Sequence, residues 1–303
     1  MNEASTRYNN FNKTRIAPTP SGFLHLGNIL SFAITAVVAR ETGAKILLRI
    51  DDIDPLRTSK AYVQDIFNTL NFLQIPWDEG PRNIEEFEDA YSQTHRMHNY
   101  NKAIETLRVN GLIYACNCSR KQLNEHHLET GYHCDCKKHQ IPLSSENINW
   151  RLIADNNAEI SVKNLNGELI KTVLPADMHN VIIRKKDGLP SYQLTSVVDD
   201  LFFGIDLVIR GEDLWPSTLV QHQLAAILGG NDFGKTTFYH HPLLMEAPDK
   251  KLSKSAGATS VNYLRQNGES ATEIYTAIAA AAGINVSVNN WQELGEMALQ
   301  VIR

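Results

Sequence analysis

The chain has 303 residues, 43% of them apolar and 21% charged, with a net charge of −5; this suits one large domain with an insertion, or two domains, of an ordinary soluble globular protein. The charge excludes a uniformly basic nucleic-acid binder and leaves only short basic stretches, Arg184-Lys185-Lys186 and Lys137-Lys138-His139. No apolar run approaches the ~20 residues of a membrane-spanning helix, and the polar start lacks a secretion signal, so no membrane contact and a cytoplasmic location are expected.

In chain order, residues 14–17 predict a short strand that enters a Pro/Gly loop. A helix follows over 28–41, with apolar positions at Ile29, Phe32, Ala33, Ala36, Val37 and Ala39, and Gly43 as its stop. The near-continuous apolar run 45–50 predicts a strand buried on both faces. Strand, helix and strand make a βαβ unit, the start of an α/β doubly wound parallel sheet. Helices are expected over 60–73 and 94–109. Short alternating runs fill 148–174, with a hairpin at Asn166-Gly167, and Asp187-Gly188 predicts a second hairpin between 181–185 and 192–198. A buried strand at 207–209 precedes a helix that Pro216 opens, and two or three helices close the chain, 272–282 the clearest.

Two distant segments carry phosphate chemistry. The first, Ala17-Pro18-Thr19-Pro20-Ser21-Gly22-Phe23-Leu24-His25-Leu26-Gly27-Asn28, is a tight turn that opens a helix. A helix N-terminus offers unpaired amides and partial positive charge, and glycine lets a ligand approach closely. His25 is placed to donate to a phosphoryl oxygen. The second, Lys251-Leu252-Ser253-Lys254-Ser255, offers two ammonium groups and two hydroxyls for a departing pyrophosphate. Either segment alone is more often structural or a solvated turn; their conjunction, in order and beside a βαβ unit, points to ATP held from two sides. The ATP-binding set is then Pro18, Gly22, His25, Gly27, Asn28, Lys251, Ser253, Lys254 and Ser255, with His25, Lys251 and Lys254 catalytic.

These residues resemble the two signatures of class I aminoacyl-tRNA synthetases. Arg15 to Gly22 with Leu24-His25-Leu26-Gly27, Arg49 to Asp54, Asp199-Asp200, and Arg210 to Leu214 are similar to the glutamyl branch over roughly residues 13–260. The resemblance implies a Rossmann-like fold, ATP with Mg²⁺, glutamate and tRNA. It assigns Arg15 and Arg210 to the substrate carboxylates, for which a guanidinium fork is suited, and places Tyr192 and the acid after Arg49-Ile50 near the ammonium. That acid is Asp51 where a glutamate is usual, and Thr19 stands where serine is usual. As a structural alternative, Arg49 and Asp52 form an ion pair and Tyr192 is a core aromatic.

Cys116, Cys118, Cys134 and Cys136 are clustered as for metal rather than for disulfides. A tetrahedral structural Zn²⁺ accepts four thiolates; the alternative is a set of reduced thiols, and His126, His127, His133 and His139 are further candidates. Glutamyl-Q tRNA(Asp) synthetases carry a C-x-C followed by Y-x-x-x-C, which Tyr132 to Cys136 resembles, so the resemblance leaves Tyr132 or Cys134 as the fourth ligand. The expected organisation is a first half of the catalytic domain over 1–110, an insertion with the cysteines and hairpins over 111–178, a second half over 179–245, and the KLSKS loop with a C-terminal helical segment over 246–303. No room for an anticodon-binding domain follows Ser255, which resembles the glutamyl-Q subfamily and implies a monomer acting on the anticodon stem-loop of tRNA(Asp). The rival expectations are a glutamate–tRNA ligase acting on tRNA(Glu), a small-molecule nucleotidylyltransferase, which would need neither the arginine pair nor the cysteines, and a non-catalytic tRNA-binding paralogue, which would be expected to lose His25 or a signature lysine.

Overall fold

The computed structural model describes residues 8–118, 135–247, 250–251 and 260–301. Strand β1 (Lys13–Ile16) leads into helix α1 (Leu26–Thr42) and the parallel strand β2 (Lys45–Leu48), paired in register from Lys13–Lys45 to Ile16–Leu48. The expected βαβ unit is therefore present. Helices α2 (Lys60–Phe72) and α3 (Met97–Val109) follow, the latter preceded by a tighter turn over Gln93–Arg96. Strands β3 (Ile113–Cys116) and β4 (Asn149–Leu152) pair antiparallel, β5 (Ile160–Asn164) and β6 (Leu169–Thr172) form the hairpin expected at Asn166-Gly167, and β7 (Ile182–Arg184) adds to β4.

Residues 192–198, expected as a strand, belong instead to helix α4 (Tyr192–Phe203). The Asp187-Gly188 turn does form, with the Gly188 amide bonded to the Lys185 carbonyl, but the returning chain pairs only briefly before Ser191 starts the helix. The spacing of Leu194, Val197, Val198 and Leu201 is helical, and Leu194 and Val197 are fully buried. After α4 come β8 (Leu207–Gly211), α5 (Trp215–Ile227) with Pro216 in its first turn, β9 (Thr237–His241) and the short pair β10 (Met245–Ala247) and β11 (Lys250–Lys251). Helices α6 (Val261–Gln266), α7 (Ala271–Ala281) and α8 (Trp291–Val301) complete the fold.

The main sheet runs β6–β5–β9–β8, with β5, β9 and β8 parallel and β6 antiparallel at the edge. Asp206 joins it to the β1–β2 pair. Its carboxylate accepts the backbone amides of Asn12 and Lys13 at 2.9 Å, its amide donates to the Lys13 carbonyl, and its carbonyl accepts from Thr237. The doubly wound α/β architecture is thus as expected. Two apolar cores lie on either side: Leu207 and Ile209 face the one built around α1, and Val208 faces the other, with Phe238. This alternation along β8 puts Arg210 on the second face at the strand's end. Among the described residues, no helix is long and apolar enough to cross a membrane.

Helix α1 is buried nearly all round, and α8 packs against it through Gly295. A Cβ there would stand 2.6 Å from Val37 Cγ2 and 2.7 Å from the Ala33 carbonyl oxygen. Ordinarily Gly→Ala inside a helix stabilises by roughly 0.5–1 kcal/mol. Here the close approach wins, and Gly295→Ala is expected to cost about 1–3 kcal/mol by forcing the two helices apart, read as a lower thermal or urea midpoint; a midpoint that rises would refute this packing.

Candidate functional site

His25 is the N-cap of α1. Its backbone is extended, its Nδ1 accepts from the Gly27 amide at 3.1 Å, and its own amide donates to Asn28 Oδ1 at 3.0 Å, closing a capping box. Because Nδ1 is an acceptor, the neutral ring carries its proton on Nε2. A Cβ at position 27 would lie 3.1 Å from His25 Cε1 and Nδ1, so glycine is what lets the imidazole sit over the helix end. The spacing His25-Leu26-Gly27-Asn28 is therefore one local device that orients an N–H donor at a positive helix terminus.

Beyond the ends of β1 and β2 the two chains stay paired, Arg49 to Ile16 and Asp51 to Pro18 through 2.9 Å backbone bonds. Arg49, 3% exposed, grips Asp51 with two N–H groups at 2.7 and 3.1 Å and reaches Asp200 at 2.6 Å. Burial alone disfavours the Arg49 charge, but Asp51, Asp200 and Asp199 outweigh it and hold the guanidinium firmly protonated. The Asp51 carboxyl is pushed up by burial, against the pull of Arg49 and with a further push from Asp199 and Asp200. The pair between Arg49 and Asp52 given as the structural alternative does not form: Asp52 instead accepts from Ser92 and from the Gln93 amide. Its place one residue further on turns it away from Arg49.

Asp199 and Asp200 share the turn of α4 that meets this cluster. Asp199 accepts from Arg96 at 2.8 and 3.0 Å, from the Tyr100 hydroxyl at 2.8 Å and from Gln93 at 3.0 Å. Burial disfavours its charge, yet these bonds and nearby Arg49 hold its carboxyl below the usual range. Asp200 also receives Arg15 Nε at 3.4 Å. Three arginines, Arg15, Arg49 and Arg96, thus meet three aspartates, Asp51, Asp199 and Asp200, and all six are buried.

Arg210 adds a fourth cation beside Arg15. It is 5% exposed; Nη2 donates to Thr218 and Gln221, while Nε and Nη1 are buried without a hydrogen-bond partner among the described residues. Burial first, and Arg15 with it, lower its pKa to about 10 despite Tyr192 and Asp200, so it remains charged at neutral pH. A cavity of about 1180 Å³ opens here, and its lining includes Arg15, Thr19, Asp51, Tyr192 and Arg210 together with Pro18, Gly22, His25, Gly27 and Asn28. Every pocket and turn residue singled out from the N-terminal two thirds of the sequence lies on this one cavity. Ser253, Lys254 and Ser255 lie outside the described residues; Lys251 pairs through its backbone with Met245.

The sequence reading missed Gln93, Arg96 and Tyr100, which hold Asp199, and Thr218, Gln221 and His240, which surround Arg210. It also missed the wall formed by Phe23 and Tyr62, in edge contact at 5.0 Å, with Tyr263 on the helix after the lysine-rich loop. No local signal marked Thr218 and Gln221, because the same helix also carries Ser217, His222 and Gln223.

Away from the cavity, Cys116 at the end of β3, Cys118 and Cys136 place their sulfurs within 4.8 Å of one another, Cys118 and Cys136 being 3.4 Å apart. Tetrahedral zinc with Zn–S near 2.3 Å holds its sulfurs about 3.8 Å apart, which this triad fits. Cys134 and Tyr132 lie outside the described residues.

A family model described as tRNA synthetases class I (E and Q), catalytic domain, matches residues 12–294. The glutamyl-Q tRNA(Asp) synthetase of Synechococcus sp. (strain CC9605) is 32% identical over 268 residues, which are 88% of this chain and 81% of that protein. The protein of the same name from Nitratidesulfovibrio vulgaris is 30% identical, over 89% of this chain and 86% of its own length. The glutamate–tRNA ligase of Chlamydia abortus is 34% identical over 84% of this chain, which spans only 52% of that relative. Among solved structures, a glutamate-tRNA synthetase from Elizabethkingia anophelis superposes with a TM-score of 0.71 at 20% identity, over 94% of this chain and 65% of that one, a likeness of fold.

Removing one partner of a buried ion cluster leaves uncompensated charge. Arg49→Met is expected to cost about 3–5 kcal/mol in urea unfolding, and adding Asp200→Asn to it should recover at least ~1 kcal/mol by removing one stranded carboxylate. No recovery in the double variant would mean that Arg49 acts chiefly through packing.

Proposed function

The chain belongs to the class I tRNA synthetases (E and Q), a family of ligases, and from that membership we propose that it activates glutamate with ATP and esterifies the glutamyl group to queuosine in the anticodon loop of tRNA(Asp). The observation that carries the amino acid is Arg210, a buried cation left over after three arginines balance three aspartates, on the same cavity as Arg15. An anionic side chain relieves the mutual repulsion of these two guanidiniums. Tyr192 and Asp51, which line the same cavity with Thr19, are the groups for the substrate ammonium.

In the first step an oxygen of the glutamate α-carboxylate attacks the α-phosphorus of ATP, and pyrophosphate leaves with the electron pair of the broken P–O bond. His25, its proton on Nε2, donates to the α-phosphoryl oxygens at the α1 terminus, with Pro18, Gly22, Gly27 and Asn28 shaping the approach. Lys251, Ser253, Lys254 and Ser255 receive the departing pyrophosphate, with Mg²⁺ as the counter-ion of ATP. In the second step a hydroxyl of the nucleic acid attacks the glutamyl carbonyl and AMP leaves.

The acceptor reading draws on the relatives matched over 81% and 86% of their own length, both named glutamyl-Q tRNA(Asp) synthetase. Transfer of labelled glutamate to purified tRNAs tests it: label is expected on queuosine-containing tRNA(Asp) and not on tRNA(Asp) lacking queuosine. Label on tRNA(Glu) instead would establish the glutamate–tRNA ligase reading that the 34% identical relative favours.

The cysteine cluster is proposed to hold one structural zinc through Cys116, Cys118 and Cys136, completed by Cys134 or Tyr132, so that the chain between β3 and β4 folds near the nucleic acid. Metal content and thermal melting check this: Cys118→Ser should weaken zinc binding about tenfold or more and lower the melting temperature. Equal zinc content in the variant would reject the assignment.

A further inference from the structure

We propose that Thr218, Gln221 and His240 are positioning residues that fix Arg210 through Nη2 at the wall of the cavity without neutralising it, and thereby set the grip on the acidic amino acid. This rests on the reading of the cavity as a glutamate site. Thr218 and Gln221 lie three residues apart on α5, both fully buried, and take both Arg210 Nη2 bonds, at 2.6 Å to Thr218 Oγ1 and 2.9 Å to Gln221 Oε1. A guanidinium only donates, so the direction of the glutamine bonds is forced. Gln221 must turn Oε1 to the arginine, which sends its Nε2 to Gln193 Oε1 at 3.2 Å; Gln193 Nε2 then donates to Ser217 Oγ at 2.9 Å. Gln193 is the neighbour of Tyr192 in the first turn of α4, so the same relay fixes Arg210 relative to Tyr192.

Thr218 likewise turns a lone pair to Arg210, and its hydroxyl also meets His240 Nε2 at 2.7 Å and the Leu214 carbonyl at 3.2 Å. His240 lies directly beside Arg210 in the β8–β9 register, and its neutral imidazole serves Thr218 in either tautomer, as acceptor from the hydroxyl or as donor to it. Burial first, then Arg210, hold His240 near a pKa of about 3 and the neighbouring His222 near about 4. Behind Arg210 there are then two neutral imidazoles, an amide, a hydroxyl and the Phe238 ring at 5.4 Å. The contrast with Arg49 and Arg96 is chemical: those guanidiniums are bonded to carboxylates, as an arginine with a purely structural task is. Arg210 is oriented by neutral acceptors, so its charge stays available to a ligand.

Glutamate-dependent ATP–pyrophosphate exchange tests this. Thr218→Val keeps the volume and deletes the acceptor; it is expected to raise KM for glutamate about tenfold, the scale of one lost hydrogen bond to a charged group, with KM for ATP unchanged and kcat within about twofold. Thr218→Ser should restore the glutamate KM. Gln221→Glu supplies an internal carboxylate, and is expected to raise the glutamate KM about tenfold or more while the melting temperature stays level or rises. That opposition of stability and binding is one a merely structural role would not produce. An unchanged glutamate KM in either Thr218→Val or Gln221→Glu, a matching rise in KM for ATP, or no rescue by serine would overturn the proposal with the glutamate site intact. No glutamate-dependent exchange by the unsubstituted protein would overturn the site reading itself, and this proposal with it.

Discussion

Arg49 sits almost without solvent between carboxylates from two regions of the chain, Asp51 just past β2 and Asp200 in α4. A buried guanidinium is tolerable only when it is matched in charge and bonded, and the carboxylates are tolerable only because it is there. The contact therefore does more than join two elements. It brings the β1–β2 unit, which carries His25 on the following helix, into register with α4, which carries Tyr192, and it closes the sheet end on which the cavity rests. Arg15 and Arg96 extend the same balance to Asp200 and Asp199, leaving Arg210 as the cation outside it.

That arithmetic of charge separates two kinds of arginine at one site. Arg49 and Arg96 are consumed internally. Arg210, though equally buried, is held by a hydroxyl and an amide, and nearby Arg15 depresses its pKa rather than sharing its load. A pocket built in this way is electrostatically unsatisfied by itself, and it favours a ligand that brings negative charge. The same cavity also meets the capped terminus of α1, where a rigidly oriented imidazole suits phosphoryl oxygens, which gather charge during transfer.

How much of this was legible in the sequence follows from how local each device is. His25, Gly27 and Asn28 lie within one turn, so cap chemistry and glycine spacing identify them directly. The βαβ start was legible because β1, α1 and β2 are consecutive, and Asn166-Gly167 marked its hairpin by turn chemistry alone. Residues 192–198 were misread because their apolar positions fit a short strand as well as a helix turn, and the preceding Asp187-Gly188 turn favoured the strand; the spacing of Leu194, Val197, Val198 and Leu201, continued past that range, is that of the helix. The partners of Arg49 were not legible, and the Asp52 alternative failed, because a difference of one residue decides which way a side chain leaves an extended backbone, and the Asp200 partner is 151 residues away. The setting of Arg210 was invisible for the same reason: Thr218, Gln221 and His240 come together only through the pairing of β8 with β9 and the packing of α5 over them.

The claim most exposed to test is that the surplus buried charge at Arg210 selects the amino acid. ATP–pyrophosphate exchange measured with each of the common amino acids in turn addresses it directly. Exchange dependent on glutamate, with kcat/KM for glutamine and the apolar amino acids lower by several powers of ten, is the expected result. Comparable kcat/KM for glutamine or any neutral amino acid would contradict it, because a pocket that accepts an uncharged side chain equally well makes no use of that charge.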